Sequence, residues 1–319
     1  MSENSTLGID HGTQAVRFCI LPERIFFEID RKKLLKVPVL DEIKKHFPLE
    51  KIKLVGLTYS MGDGINKITD IRKVKNRGVQ EEKTGEYIGG GTRVFDEIAA
   101  SRLRAVVIPG LHRGIEILDP RFRALYSHCA SAEKVSLSHH CYLEVNKKIS
   151  VQNLIISDIS SNTVTIGIRE GKFFGAIDAC LGAVGLLHGP LDLEAIRKTD
   201  AGKTSANEAF YSSGAAKIYK NPEGILNPKN SKARLALESL ILSAKMEISS
   251  FLGEIEPEAI VITGSAGVHK NVFARLKKSL EKIAPVFKIN GYAAAIGSAE
   301  IARDILLGKR EFLGIESNL

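Results

Sequence analysis

Tryptophan is absent from this 319-residue sequence, and aromatic residues make up only 6% of it. Few rings are therefore available as stacking platforms for bases. Cysteine is scarce as well, with four residues: Cys19, Cys129, Cys141 and Cys180. No two of them form a C-x-x-C pair, which leaves neither a zinc ribbon nor a dithiol redox motif. Reduced thiols in a reducing compartment fit that pattern. No apolar run approaches the ~20 residues needed to span a bilayer. The opening Met1-Ser2-Glu3-Asn4-Ser5-Thr6 is polar and lacks a signal-peptide core. A cytoplasmic protein without a membrane partner is expected. The net charge is +8, yet the basic residues come in short runs such as Arg31-Lys32-Lys33 and Arg72-Lys73, with acids between them. That reads as a solvated surface and argues against nucleic acid as a partner. The hydrophobic fraction of 44% and charged fraction of 26% are those of a globular protein with room for a large core or two domains.

What is present is organised around Leu7-Gly8-Ile9-Asp10-His11-Gly12-Thr13-Gln14-Ala15-Val16-Arg17-Phe18. It reads as a strand, a tight turn and a second strand. Asp10 stands at the strand end, where its carboxylate can order the water shell of a magnesium ion. Gly12 leaves the backbone free to take φ > 0 and a ligand free to approach. Thr13 and Gln14 offer a hydroxyl, an amide and N–H groups to an anion. The same residues also describe an ordinary hairpin with a surface carboxylate, and the hairpin alone does not decide.

The pattern then recurs. Leu154-Ile155-Ile156-Ser157-Asp158 is a strand ending in Asp, followed by a turn containing Ser160, Ser161 and Asn162 and by two further strands. Three strands, a helical region, a strand and a helix appear in both halves, which predicts an internal duplication facing a shared cleft. Asn162 stands where left-handed φ/ψ is tolerated, so the second turn reads as a tighter phosphate loop. After the strand Glu258–Thr263 comes Gly264-Ser265-Ala266-Gly267 and a helix, a ledge on which a ribose or adenine can lie, or a packing turn of a generic α/β unit. Ser231–Leu252 reads as an amphipathic helix marked by Leu235, Leu240, Leu242, Met246 and Phe251. The small residues Ala293 to Ala299 of the last helix predict close packing beside the ledge.

Other features are weaker. Gly89-Gly90-Gly91-Thr92 before Val94 reads as a capped helix start that could hold an anion. The polar stretch 62–86 reads as a loop or a lid. His112 and Arg113 follow the strand Ala105–Ile108, where a strand end opens on a cleft. His128, Cys129, His139, His140 and Cys141 gather metal-ligating types without any zinc spacing. Gly202-Lys203-Thr204 is not a Walker A loop, because Arg197 stands where the motif needs glycine.

The Asp-Gly-Thr hairpin, the second Asp hairpin and the T-G-S-A-G ledge, in this order, resemble the acetate kinase, sugar kinase, Hsp70 and actin superfamily. The C-terminal half is most similar to butyrate and acetate kinases at Ala179-Cys180-Leu181-Gly182, Gly185, Ile262-Thr263-Gly264 and Gly297-Ser298-Ala299. Tyr59-Ser60-Met61-Gly62-Asp63 with Gly89-Gly90-Gly91-Thr92 resembles the archaeal family called methanogenesis marker protein 12.

The resemblance implies an α/β fold of duplicated ribonuclease-H-like, actin-like ATPase domains, 1–148 and 149–319, with ATP or ADP and Mg²⁺ in an interdomain cleft and the last helix packing back on the first domain. It implies that Asp10, Gly12, Thr13 and Gln14 form the first phosphate loop, with Asp10 holding Mg²⁺ through water. Asp158 with Ser160, Ser161 and Asn162 would form the second, and Gly264, Ser265, Ala266 and Gly267 would hold adenosine. In acyl kinases, arginines and a histidine stabilise the transferring phosphoryl group; Arg113 and His128 are the candidates here. The second loop departs from the acyl kinases in lacking their glycine run. The implied activity is an ATP-dependent kinase acting on a small carboxylate and linked to methanogenesis. The alternatives are an ATP-driven switch that assists a protein partner in methane metabolism, and a nucleotide-binding protein without turnover. A homodimer is compatible with each.

Overall fold

The structure is a computed structural model, and it describes residues 4–12, 15–58, 64–74, 90–289 and 291–319; of Gly90, Gly91 and Thr92 it describes the backbone alone. The chain forms two compact units, Met1–Glu144 with Tyr292–Leu319, and Val145–Gly291.

The first unit opens with β1 (Ser5–His11), β2 (Ala15–Leu21) and β3 (Ile25–Asp30). They form an antiparallel meander in which Asp10 pairs with Arg17. The Asp30 carboxylate accepts from the Lys32 and Lys33 N–H groups and so starts α1 (Arg31–Leu34). α2 (Val39–Lys44) leads to β4 (Ile52–Thr58), which runs parallel to β1. Next come β5 (Thr69–Asp70), α3 (Gly90–Ala100) and β6 (Ala105–Ile108), giving a six-stranded sheet of order β3-β2-β1-β4-β6-β5. β7 (Leu111–His112), α4 (Pro120–Leu125), β8 (His128–Ala130) and α5 (Ala132–Asn146) complete this stretch, β7 and β8 pairing as a separate ribbon.

The second unit repeats the plan. β9 (Leu154–Ile159), β10 (Thr163–Arg169) and β11 (Lys172–Ile177) form an antiparallel meander. Helices α6 (Leu193–Asp200), α7 (Ala206–Ser212), α8 (Pro222–Leu226) and α9 (Ser231–Ser250) follow, then β12 (Ala259–Thr263), α10 (Lys270–Leu280) and β13 (Val286–Lys288). The sheet order is β11-β10-β9-β12-β13, with β9, β12 and β13 parallel. The central strands β1 and β9 are buried along their whole length. Each carries its Asp near its C-terminal end, the end at which open α/β sheets take their ligands.

The chain then re-enters the first unit as α11 (Ala293–Leu306), β14 (Glu311–Phe312) and β15 (Ile315–Glu316). Gly8 on β1 and Gly56 on β4 stand side by side in register. A Cβ at Gly8 would overlap the Ala295 carbonyl, and one at Gly56 the Ser298 carbonyl. The two glycines thus make a groove that seats α11, and Thr6 Oγ1 donates to the Ala299 carbonyl at 3.0 Å. On its other side α11 approaches α5 so closely that a Cβ at Gly297 would overlap the Ser136 carbonyl. The small residues of this helix therefore serve the first sheet and α5.

Three local expectations change. α3 begins at Gly90, so Thr92 lies inside the helix instead of capping it; Gly89 lies outside the described residues. Within the stretch 62–86, residues 68–73 are held in place: Ile68 and Ile71 are buried, Thr69 and Asp70 form β5 on the sheet edge, and Ile68 bridges to Ser317. Residues 62–63 and 75–86 of that stretch lie outside the described residues. On α9 the buried face is Ala233, Ala236, Leu237, Leu240, Ile241, Ala244, Glu247 and Ile248. Leu235, Leu242 and Met246, which mark an apolar stripe in the sequence, are more than half exposed.

Candidate functional site

In the first unit, β1, β4 and β6 are parallel and end at one edge of the sheet. Asp10 sits at this edge, buried, with Arg17 Nη1 3.9 Å from its Oδ2. Arg17 is half exposed and also faces Glu28 across the β2–β3 ladder at 3.4 Å. Beside Asp10, His11 Nδ1–H donates to the Thr58 carbonyl, and Thr58 Oγ1 donates to the Ile9 carbonyl at 3.1 Å. The ends of β1 and β4 are thereby locked together beneath the turn. Of the two expectations for Gly12, the left-handed backbone is not met. Gly12 does not take a positive φ; a Cβ there would stand 2.7 Å from the Ala15 carbonyl. Thr13 and Gln14 lie outside the described residues.

Past the end of β6 lies the β7–β8 ribbon. Arg113 N–H donates to the Ser127 carbonyl at 3.2 Å, and His128 pairs with His112 in the ladder. The two residues proposed to flank a phosphoryl group therefore share one ribbon, Arg113 exposed and His128 half-buried. His112 serves the fold. Its Nδ1 accepts from Gly114 N–H at 3.2 Å, which assigns the proton to Nε2, and that nitrogen donates to the Ile65 carbonyl at 3.0 Å.

In the second unit the Asp hairpin and the glycine ledge meet. β9 and β12 are parallel neighbours with Asp158 opposite Thr263. Ser265 N–H donates to Ser160 Oγ at 3.1 Å, and Ser160 Oγ donates onward to Asp158 Oδ1 at 3.0 Å. Gly264 has φ +84°, and a Cβ on it would overlap Asp158 Oδ1 and come within 2.6 Å of Ser160 Oγ. Only glycine combines that backbone with that closeness. The N–H groups of Ala266 and Gly267 donate to the Ile159 carbonyl at 3.0 and 2.8 Å, and both residues are buried. They fasten the ledge to β9, while exposed Ser265 and half-buried Gly264 face outward. The turn between β9 and β10 closes on itself, with Ser160 N–H donating to the Asn162 carbonyl at 2.7 Å. Asn162 does not take the left-handed conformation. The Ser161 carbonyl accepts from the N–H groups of Leu187 and His188, and a Cβ at Gly185 would overlap the Asn162 backbone.

A carboxyl that the sequence analysis passed over lies beneath the same region. Glu247 of α9 is buried under residues 182–184, where it accepts from Ala183 N–H, and a Cβ at Gly182 would overlap it. Its place on the helix was visible in the spacing Leu240, Ala244, Glu247, Phe251, where an acid interrupts an apolar face. Burial pushes the Glu247 carboxyl up to about 7, with the Asp178 charge adding to the rise. The unfolded chain releases this proton in the ordinary carboxylate range, while the folded chain holds it until about pH 7. Stability should therefore fall as pH rises across that window and level off above it. Glu247→Gln keeps an acceptor for Ala183 and removes the titration. Relative to that variant, the parent should lose about 3 kcal/mol between pH 4.5 and 7, read by chemical denaturation at the two pH values. Parallel stability curves would show a hydrated, ionised carboxylate.

No family model matches the sequence. A UPF0285 protein of Methanocaldococcus jannaschii is 52% identical over 328 residues and is covered, like this chain, to 98%. A UPF0285 protein of Methanococcus vannielii is 49% identical, with 97% of each chain covered. Among solved structures, acetate kinase of Porphyromonas gingivalis matches 95% of this chain and 100% of its own, with a TM-score of 0.64 at 12% identity. A ROK family glucokinase of Streptomyces griseus, solved with glucose and AMPPNP, matches 94% and 99%, with a TM-score of 0.53 at 13% identity. At such identities the likeness establishes the fold: an α/β, kinase-like architecture of the actin-like ATPase kind. Among the described residues no helix is long and apolar enough to cross a membrane.

Proposed function

The chain belongs to the UPF0285 family, and on that footing we propose that it binds ATP or ADP with Mg²⁺ and transfers a phosphoryl group to a small carboxylate. The observation that carries the reading is the junction of Asp158, Ser160, Gly264 and Ser265, where the ledge is joined to the second Asp hairpin by the Ser265–Ser160 hydrogen bond, which Ser160 continues to Asp158. The fit is tested by Gly264, whose missing Cβ lets the ledge close on Asp158 and Ser160, while exposed Ser265 gives the junction its outward face. The fold shared with acetate kinase supports the carboxylate, and the AMPPNP held by the glucokinase supports the nucleotide.

In this reading Asp10, Gly12, Thr13 and Gln14 receive one group of phosphate oxygens, and Asp10 orders the waters of Mg²⁺. Asp158 with Ser160, Ser161 and Asn162 forms the second loop. Gly264 and Ser265 carry the nucleoside, while Ala266 and Gly267 hold those two residues in place. Arg113 and His128 attend the acceptor. Bound Mg²⁺ would supply charge neutralisation at the phosphates; the protein's part is to orient and to exclude water. The methanogenic sources of the relatives support a place in methane metabolism, in keeping with the resemblance to methanogenesis marker protein 12.

Mg–ADP or Mg–ATP should raise the unfolding temperature, since a ligand at ~100 times its Kd stabilises the native state by about 2.7 kcal/mol. Asp10→Asn should raise the Mg²⁺ concentration needed for half of that effect about tenfold, as for loss of a group that orients a metal's surroundings. Thermal shift with Mg²⁺ titrated at fixed nucleotide reads both. No stabilisation by any Mg–nucleotide at millimolar levels would overturn the proposal. Equal Mg²⁺ dependence would reduce Asp10 to a strand terminus.

A further inference from the structure

The histidines singled out in the sequence around residue 140 find their partners on the last helix. His140 and Glu144 stand four positions apart on α5, and therefore on one face of it. Glu300 of α11 meets them there: His140 Nδ1 lies 3.0 Å from Glu300 Oε2. One nitrogen of His140 and one oxygen from each of Glu144 and Glu300 lie within 4.8 Å of one another. His140 and Glu300 are buried and Glu144 is half-buried, so the group opens to solvent on the Glu144 side.

We propose that His140, Glu144 and Glu300 form a binding site for one divalent transition-metal ion, separate from the nucleotide reading. Three observations carry it. The first is the spacing. Bonds of ~2.1 Å to imidazole nitrogen and carboxylate oxygen put adjacent ligands about 3 Å apart and opposite ones about 4 Å apart. The His140–Glu300 separation already equals an adjacent pair, and the 4.8 Å limit needs only a small contraction. The second is rigidity. Both helices are long, and they are clamped to each other at the approach of Gly297 to Ser136, one turn before the group. Ligands on rigid elements keep their geometry. A second histidine–carboxylate pair continues along the same seam, with His139 Nε2 3.5 Å from Asp304 Oδ2. The third is the donor set. One imidazole with two carboxylates suits Zn²⁺, Mn²⁺, Fe²⁺ or Co²⁺, and the imidazole disfavours Ca²⁺ and Mg²⁺. Two carboxylate charges offset the charge of the ion, and three protein ligands leave at least one position for water or a further ligand. None of the three residues belongs to the phosphate loops or the ledge, so the site stands or falls independently of nucleotide binding.

The test uses the full chain, stripped with a chelator and kept free of nucleotide, with Co²⁺ as the spectroscopic probe and Zn²⁺ as its competitor. The expected result is one equivalent of Co²⁺, seen as visible d–d absorption and displaced by one equivalent of Zn²⁺. Glu144→Gln, at a half-buried position, should weaken binding at least ~10-fold, the lower bound for disturbing the surroundings of a bound metal. His140→Asn should abolish the absorption. Circular dichroism of each variant reports on folding, and if His140→Asn does not fold, Glu144→Gln carries the test alone. Unchanged stoichiometry and affinity in Glu144→Gln would overturn the proposal. So would the absence of Co²⁺ and Zn²⁺ binding to the parent chain at ~100 µM, a concentration at which even a weak site of this kind is loaded.

Discussion

Gly56→Ala is expected to destabilise the first unit by about 4 kcal/mol, at the upper end of what overpacking costs. The reason is the neighbour that an added methyl would meet. At Gly56 it is the main-chain carbonyl of Ser298, in the middle of α11, and a backbone atom cannot swing aside as a side chain can. Relief would require the helix to lift from the sheet. That would disturb the same seat at Gly8, where the Ala295 carbonyl stands, and would strain the Thr6–Ala299 hydrogen bond. Gly253→Ala is the control, because open space surrounds that position. Chemical denaturation of both variants should separate them by most of the 4 kcal/mol. Equal stabilities would mean that α11 is not seated in the Gly8–Gly56 groove.

Arg113→Ala is expected to lower phosphoryl transfer about 10³-fold, as for other arginines that stabilise this transition state. A carboxylate acceptor and a nucleotide phosphate are both anions, so a kinase of this class needs a fixed cation where they approach. Arginine supplies one at every physiological pH and grips a carboxylate at two points. Arg113 is exposed just beyond the end of β6, and its own N–H is tied to Ser127. The ribbon should therefore survive removal of the side chain. Affinity for Mg–ADP should change little, because the residue faces the acceptor in this reading. ADP release against a panel of carboxylic acids, and then against methanogen cell extract, reads the outcome. Stimulation by one acid, lost in Arg113→Ala, supports the kinase. Stimulation by extract protein alone would assign the chain to the partner-driven switches.

The strands that carry Asp10 and Asp158 were legible because burial on both faces leaves a plain mark. Leu7, Ile9 and Leu154 to Ile156 are apolar up to an aspartate, and those strands form where expected, from Ser5 to His11 and from Leu154 to Ile159. The matching sheet orders follow from the repeated series of elements. What a glycine is for was less legible. Gly12 reads the same whether it turns the chain or avoids a carbonyl, and only the position of Ala15 separates the two. Ala266 and Gly267 read as part of a ligand ledge, but their N–H groups face Ile159, a partner more than a hundred positions away in sequence. The same distance hid the His140–Glu300 pair, whose members are 160 positions apart. Histidine next to cysteine invites a search for local zinc spacing, whereas the carboxylates come from one helical turn away and from the far end of the chain. On α9, Leu235, Leu242 and Met246 outweigh alanines in any hydropathy count, yet the alanines Ala233, Ala236 and Ala244 permit the close packing that decides which face is buried.

The return of α11 to the first sheet also sets an order of assembly. Thr6 and Ala299, bonded to each other, are 293 positions apart. A ribosome releases β1 and β4 long before the helix that fills the groove between their glycines. The whole of Val145–Gly291 emerges in that interval, and its sheet draws only on strands within it. The inserted unit is thus able to close during synthesis, while its host keeps an uncovered strand face until the final helix arrives. Entropy of loop closure rises only slowly with length, so the delay weighs little on final stability. It weighs on rate, because contacts between distant residues form late. The topology thus lets the newborn chain finish its second half while the first still waits.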